Sequence, residues 1–394
     1  MYFCIRDNKS VRATRYQTGK INMIQFTVNS VELCNRLQSL SKVVLTKGLH
    51  LCRCILFSLG DGNMTLSATD IETFVRCKLN IYDSKGKGEF AVQAQLLSDM
   101  LRNMPGQPIC FIVDQESNQI RVSYCNGKNS FMSEKDVHNF PKCNQLKENT
   151  KLVTFHSSVL SENIKQALPF TADDELRPVM NCVYLDILSD KVAFVASDGQ
   201  RLIRKILNIS GNEQGSFLIP KKSAKVICGM LSSQNEDVHI LFDNSFIRFE
   251  CEDVLIVVRQ TEGRFPNYNS VIPTKNNSIC VLDKDDFASV VKRTMVFAAE
   301  TMLGKFTFSD CTLSVSAQDI EKSLSSIETL FIEYVGEKIE IGFKSSCLVD
   351  ILENIPDRKI KIEMTDSSHA GIFCPETQKE DTDLLVLIMP MMLS

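Results

Sequence analysis

The sequence has no excess of basic charge: 44 Lys and Arg are set against 48 Asp and Glu, a formal net charge of −4. Proteins that hold nucleic acid by neutralising phosphates are basic overall or carry a concentrated basic patch, and this balance gives no hint of either. No apolar run approaches the ~18 residues of a membrane span. The opening MYFCIRDNKSVRATRYQTGK has too short an apolar stretch for a signal peptide and carries several basic residues. The expected location is therefore cytoplasmic, with no membrane partner. No CxxC pair or Cys/His group at zinc-site spacing occurs among the 15 cysteines, and the odd count excludes a complete internal disulfide set. They read as reduced, buried thiols, with Cys52 and Cys54 on one face if their run is a strand. A nucleophile elbow and a phosphate loop are absent too. The five histidines, His50, His138, His156, His239 and His369, lie in unrelated contexts. No metal, cofactor or catalytic set is expected, which argues against an enzyme.

What is present is a repeat. FAVQAQLLSDMLRNMPGQPICFIVD (90–114), FLIPKKSAKVICGMLSSQNEDVHILFD (217–243) and IEIGFKSSCLVDILENIPDRKIKIEMTD (339–366) each read as strand, helix, polar turn, strand and acidic stop. Helical period is clear in Leu96, Leu97, Met100, Leu101 and Met104, in Val226, Ile227, Met230 and Leu231, and in Leu348, Ile351, Leu352 and Ile355. Asp114 to Asp243 is a step of 129 residues, and Asp243 to Asp366 one of 123. A second set of short strand plus amphipathic helix begins near residues 25, 152 and 279, with Asn29 (Glu32 three residues on), Ser158 and Asp283 as helix caps. ATDIET (68–73), ASDGQR (196–201) and SAQDIE (316–321) form a third set. Phe140-Pro141, Phe265-Pro266 and Met389-Pro390 form a fourth, which makes the apolar tail VLIMPMMLS the end of the third copy. Periodic sequence begins at Met23, so residues 1–22 are expected to be a disordered extension. Domains are expected over 23–150, 151–274 and 275–394. Each is α+β, with two helices packed on antiparallel sheet.

Three units of about 125 residues are too few and too large for a solenoid. Head-to-tail contacts between like units suit an arc or ring instead. On this repeat, ASDGQRL (196–202), EGRFPNYNSVIP (262–273) and LIMPMML (387–393) together resemble the bacterial sliding clamps, the beta subunits of DNA polymerase III. The resemblance runs from Met23 to Ser394. It implies the DNA clamp fold and a head-to-tail homodimer closing a ring of six domains, with helices lining the hole around double-stranded DNA. Such a topological tether needs no tight or sequence-specific phosphate grip, which fits the modest charge. Partners would be the replicative polymerase, the clamp loader and repair proteins, docked through short linear motifs.

The resemblance also implies sites. A pocket for those motifs would use Met180 as floor, Ser197, Gly199, Gln200, Arg201 and Leu202 from the ASDGQRL loop, and Pro266, Ser270 and Val271. Ala370, Leu387, Ile388, Met389, Pro390, Met391 and Met392 would complete it. Methionines repack around varied ligands, Pro390 fixes the course of the tail, and the donor fork of Arg201 suits a ligand carbonyl or carboxylate. Lys47, Arg102, Lys165, Arg177, Lys221, Lys222, Lys225, Lys292 and Arg293 would face DNA. Phe131, Val296 and Phe297 would meet at the dimer interface.

This chain departs from the family pattern at Ser270, often arginine, and at Ala370, often serine. Cys347 replaces an aromatic, and Pro178-Val179 replace a tyrosine pair. Taken alone, the tail reads as a last core strand, the lysines as solvated helix faces, and Asp198 as a turn former bonding its own backbone. Two other readings stay open on sequence: a peptide-binding scaffold that never encircles DNA, and an enzyme using Asp198 and Arg201.

Overall fold

The architecture follows from alternating strands that need a covered face and helices whose apolar stripe supplies it. The computed structural model describes residues 23–147, 150–209, 213–232 and 234–393; the expected extension over 1–22 lies outside the described residues.

The first copy contains β1 (Met23–Asn29), α1 (Ser30–Leu40), β2 (Cys54–Gly60), β3 (Asn63–Thr69), β4 (Thr73–Leu79), β5 (Asp83–Lys85), β6 (Gly88–Gln93), α2 (Ala94–Arg102), β7 (Pro108–Asp114), β8 (Gln119–Tyr124) and β9 (Gly127–Met132). The second contains β10 (Lys151–His156), α3 (Ser157–Ala167), β11 (Cys182–Ile187), β12 (Lys191–Ser197), β13 (Arg201–Asn208), β14 (Gly215–Pro220), α4 (Lys221–Leu231), β15 (Asp237–Phe242), β16 (Phe246–Glu250) and β17 (Val254–Arg259). The third contains β18 (Ser278–Asp283), α5 (Lys284–Met295), β19 (Leu303–Ser309), β20 (Thr312–Asp319), β21 (Leu324–Phe331), β22 (Glu333–Val335), β23 (Ile339–Lys344), α6 (Ser345–Asn354), β24 (Lys359–Met364), β25 (Gly371–Pro375) and β26 (Thr382–Ile388).

Setting the short β5 and β22 aside, each copy runs strand, helix, three strands, twice over. The four sheets do not respect the copies. They are ordered β5-β1-β7-β8-β9, then β10-β15-β16-β17-β4-β3-β2-β6, then β14-β11-β12-β13-β26-β25-β24-β18-β22, then β21-β20-β19-β23. Two joints therefore follow one rule: the last strand of a copy pairs antiparallel with the fourth strand of the copy before it. At the first joint β17 lies on β4, with Ile256 opposite Val75. At the second β26 lies on β13, with Val386 opposite Ile203. Applied once more, the rule leaves β9 and β21 as open edges at opposite ends of the chain.

Helices pair within copies, α1 on α2, α3 on α4 and α5 on α6, and α1 also meets α4 across the first joint. At the second joint α3 reaches α6, where Gln166 Nε2 donates to Asn354 O at 2.7 Å. Inward strand residues and helix stripes merge into one apolar core through all three copies. In the first copy Phe26 stacks on Phe111 and Phe57 on Phe90, with centroids 4.8 and 4.7 Å apart. The helical periods settle the inner faces, with Leu97 and Leu101 buried while Leu96 is left exposed.

Local chemistry corrects four expectations. Asn29 and Asp283 do cap α1 and α5, each accepting two backbone N–H groups, but Ser158 caps nothing. α3 begins at Ser157, and the Ser158 hydroxyl meets His156 Nδ1 at 2.8 Å. Glu32 does not close a capping box; its carboxylate takes the Asn80 N–H instead. Cys52 and Cys54 do not share a strand face, because Cys52 lies in a one-turn helix, His50–Arg53, that ends where β2 begins. Met389-Pro390 follows β26 at once, whereas Phe140 and Phe265 sit in linkers well beyond β9 and β17 and are buried. Those two linkers lead into the following copy.

Asn29→Ala and Asp283→Ala should each lower stability by about 1 kcal/mol, the usual worth of a side-chain N-cap, while Ser158→Ala should stay within about 0.5 kcal/mol. Denaturant unfolding followed by circular dichroism checks the contrast. The Arg358 guanidinium beside Asp283 holds that carboxyl below its ordinary pKa. Its stabilisation is present above the unfolded value of about 3.9 and is lost as pH falls through the lower folded value.

Candidate functional site

The second joint carries an apolar cluster on the face of the sheet opposite the main core. It gathers Met180, Cys182, Leu202, Phe265, Tyr268, Ala370, Ile372, Leu385 and Leu387 among its buried members. Alternation along strands explains who joins. Leu387 of β26 points into this cluster, while its neighbour Ile388 points into the main core. Of the residues expected from sequence, the fold thus brings Met180, Leu202, Ala370 and Leu387 together and turns Ile388 away.

Sequence reading passed over several members. Phe265 stacks on Tyr184 with centroids 4.8 Å apart, and the Tyr268 hydroxyl donates to Asp186 Oδ2 at 2.9 Å. The Phe-Pro-Asn-Tyr run was a signal for both, since aromatics that close a linker onto a sheet must bury their rings. Pro266, Ser270 and Val271 lie exposed beside them, in and before the turn Tyr268–Val271. The Ser270 hydroxyl bonds back to Asn267 O at 2.7 Å.

The β12–β13 hairpin is closed by its own side chains. Asp198 Oδ1 accepts the N–H groups of Gln200 and Arg201 at 2.9 and 2.7 Å. The Ser197 hydroxyl donates to Arg201 O at 2.7 Å and accepts the Gly199 N–H. Gly199 has φ +89°, which favours a residue without Cβ. The same acid-to-amide bond, three residues on, recurs at Asp70–Thr73 and Asp319–Lys322.

The Arg201 fork is engaged within the chain. Its Nε donates to Asp198 Oδ2 at 3.0 Å, Nη1 to Asp350 Oδ2 on α6 at 2.7 Å, and Nη2 to Pro169 O at 3.2 Å. The guanidinium also lies over the Phe170 ring, 5.3 Å from its centroid. With only 9% of its surface exposed, Arg201 ties the second copy to the third. Asp198, Asp350 and Pro169 thus take three of its five N–H donors, one at each nitrogen.

The tail links the copies again. The Met389 N–H donates to Gln200 O and the Met391 N–H to Gly342 O, both at 2.8 Å. A Cβ on Gly342 would stand 2.6 Å from Met391 O, so glycine is what lets the tail lie against β23. Met389, Met392 and Leu393 are exposed, Met392 at 94%, and Pro390 and Met391 are half-buried. The tail thus runs from the β12–β13 hairpin at Gln200 to β23 at Gly342.

The expected DNA-facing cations are mostly paired. Arg102 pairs with Asp99, Arg177 with Asp174, Lys221 with Asp173, Lys222 with Asp70, Lys292 with Glu353 and Arg293 with Glu328. Two of these pairs are structural, since Lys222 crosses the first joint and Arg293 binds α5 to β21. Lys47, Lys165 and Lys225 are exposed. At the ends of the chain, Phe131 on β9 packs inward on the core while Met132 is exposed. Val296 and Phe297 are exposed just after α5. The sequence reading missed β21, where Ile327 and Phe331 are 73% and 91% exposed on the open edge.

Arg201→Ala should lower stability by about 2 kcal/mol or more, because it leaves Asp198 and the Pro169 carbonyl without their partner. Arg201→Lys should recover only part, having no planar fork to divide among three acceptors. Thermal unfolding of the three proteins measures both effects.

Comparison with known proteins places this geometry. Residues 24–142, 154–267 and 269–392 match the family descriptions for the N-terminal, central and C-terminal domains of the DNA polymerase III beta subunit. The Beta sliding clamp of Chlamydia muridarum is 26% identical, over 94% of this chain and 99% of the relative. That of Pseudomonas aeruginosa is 23% identical, over 94% and 100%. Among solved structures, the Thermotoga maritima DNA polymerase III beta subunit superposes with TM-score 0.87 at 23% identity, covering 94% of this chain and all of that one. The Pseudomonas aeruginosa sliding clamp bound to griselimycin gives 0.86 at 22%, with the same coverage. With its three domain descriptions matched in order along almost the whole chain, this protein belongs to the DNA polymerase III beta subunit family.

Proposed function

We infer that the chain is a DNA sliding clamp, a non-enzymatic ring subunit that holds replication proteins on double-stranded DNA. The observation that carries this reading is the pair of joints built by one rule, with β9 and β21 left over as the two halves of a third. Open edges are a liability that proteins normally blunt. Here β21 presents Ile327 and Phe331 outward, and β9 presents Met132. A second copy placed head to tail pairs each β9 with the other chain's β21 and closes the set. By the same symmetry α5 of one copy meets α2 of the other, which brings Val296 and Phe297 near the exposed Leu96. The domain limits 23–150, 151–274 and 275–394 fit this scheme.

The charge pattern suits a tether rather than a grip. Most helix cations are already answered by acids, so the hole is only mildly positive and each phosphate contact is weak. Lys47, Lys165 and Lys225 are the ones we assign to transient DNA contact. We further propose that the surface of Met180, Leu202, Val271, Ala370, Leu387, Met389, Met391 and Met392 receives short apolar motifs of the polymerase, clamp loader and repair proteins. That the Pseudomonas aeruginosa clamp takes griselimycin supports a ligand surface in this family. Against the scaffold reading stands the edge complementarity, which a peptide binder without a ring would not need.

The topological claim is tested by loading the protein on nicked circular DNA with its loader and then linearising. Retention on the circle and loss from the linear form is expected, and Ile327→Asp should lower retention on both by opening the ring. Equal retention on circular and linear DNA would defeat the proposal. For the motif surface, Met391→Ala with Leu393→Ala should weaken a polymerase tail peptide by about 2 kcal/mol or more, measured calorimetrically, with sedimentation showing an unchanged dimer.

A further inference from the structure

We propose that His50, Cys54 and Glu134 form a binding site for a divalent transition-metal ion of the zinc class, on the first copy beside its open edge. One imidazole nitrogen, the thiol Sγ and a carboxylate oxygen of these residues all lie within 4.8 Å of one another. His50 Nδ1 and Glu134 Oε2 are 3.3 Å apart. Ligands around tetrahedral zinc, with bonds of about 2.0 to 2.3 Å, are spaced about 3.5 Å from each other. The three donors therefore need to draw in by only about 1 Å at the widest pair. A thiolate with an imidazole selects zinc-like ions over magnesium or calcium, which favour all-oxygen sets.

The residues are held on rigid parts. His50 opens the single helical turn His50–Arg53, and Cys54 begins β2, where it pairs with Gln93 of β6. Glu134 follows β9, and its N–H donates to Ala91 O of β6 at 2.8 Å. The side chain of Gln93 donates to Glu134 Oε1 at 3.3 Å and leaves Oε2 turned to His50. A ligating carboxylate ordinarily has such an outer partner. In the single chain a cleft of about 520 Å³ lies beside the group, lined in part by His50, Gln93 and Glu134; its Leu96, Phe131 and Met132 wall is the face assigned above to the second copy.

Sequence spacing gave no warning, because 80 residues separate Cys54 from Glu134 and the third ligand arrives only through strand pairing. On binding, the Cys54 thiol, which donates to His50 O at 3.4 Å, gives its proton to solvent and the thiolate coordinates. Nothing is oxidised or reduced.

Cobalt(II) titrated into the full-length reduced protein is the probe, since a thiolate ligand gives a near-ultraviolet charge-transfer band. We expect that band, its displacement by Zn²⁺, and its loss in Cys54→Ser. His50→Gln and Glu134→Gln should weaken cobalt binding about tenfold or more. Both are partly exposed and should leave the melting curve of the metal-free protein in place, which keeps the test valid if Cys54→Ser unfolds. A band that survives Cys54→Ser, or cobalt affinity unchanged in both other variants, would mean an ion pair beside a core thiol and would overturn the proposal.

Discussion

Edge-to-edge strand pairing between copies is the interaction on which the rest of this structure depends. A small α+β unit ends in two exposed strand edges, and an unpaired edge invites any other strand. Here the last strand of one copy satisfies the fourth strand of the copy before it, so β17 completes β4 and β26 completes β13. Sheets of eight and nine strands then run through the joints, and the copies cannot move apart without breaking main-chain ladders.

Side chains make the two joints different. At the first, the buried hydroxyls of Thr73 and Ser223 meet at 2.8 Å and Lys222 reaches Asp70. At the second, Arg201 spans Asp198, Pro169 and Asp350, and the tail crosses from Gln200 to Gly342. A position that needs left-handed backbone holds Gly199 at the second joint but Ile71, φ +82°, at the first. A β-branched residue there is strained. Of the two joints, the second couples a hairpin turned at a glycine to a tail with methionine side chains, which makes it the better place for an adaptable apolar surface.

Charge follows the same economy. Cations on the helices are largely engaged in holding elements to one another, as Arg293 holds β21 and Lys292 holds α6. Exposed pairs of this kind contribute little stability each, but they cancel field. In the ring proposed above, a chain with net charge −4 would thus surround a polyanion while gripping it weakly.

The sequence by itself determined the threefold repeat, the helix stripes, the capping roles of Asn29 and Asp283, and the family, because these rest on local period and short motifs. It also marked Met180, Leu202, Ala370 and Leu387, which the fold gathers into one cluster. Only tertiary structure decided that Ile388 faces the opposite side, since one step along a strand reverses the side chain. Only it decided that Arg201 pairs with Asp350, a residue 149 positions away. The open edge of β21, and the meeting of His50 and Cys54 with Glu134, were hidden for the same reason: pairing between distant strands sets which residues are neighbours, and no local pattern records it.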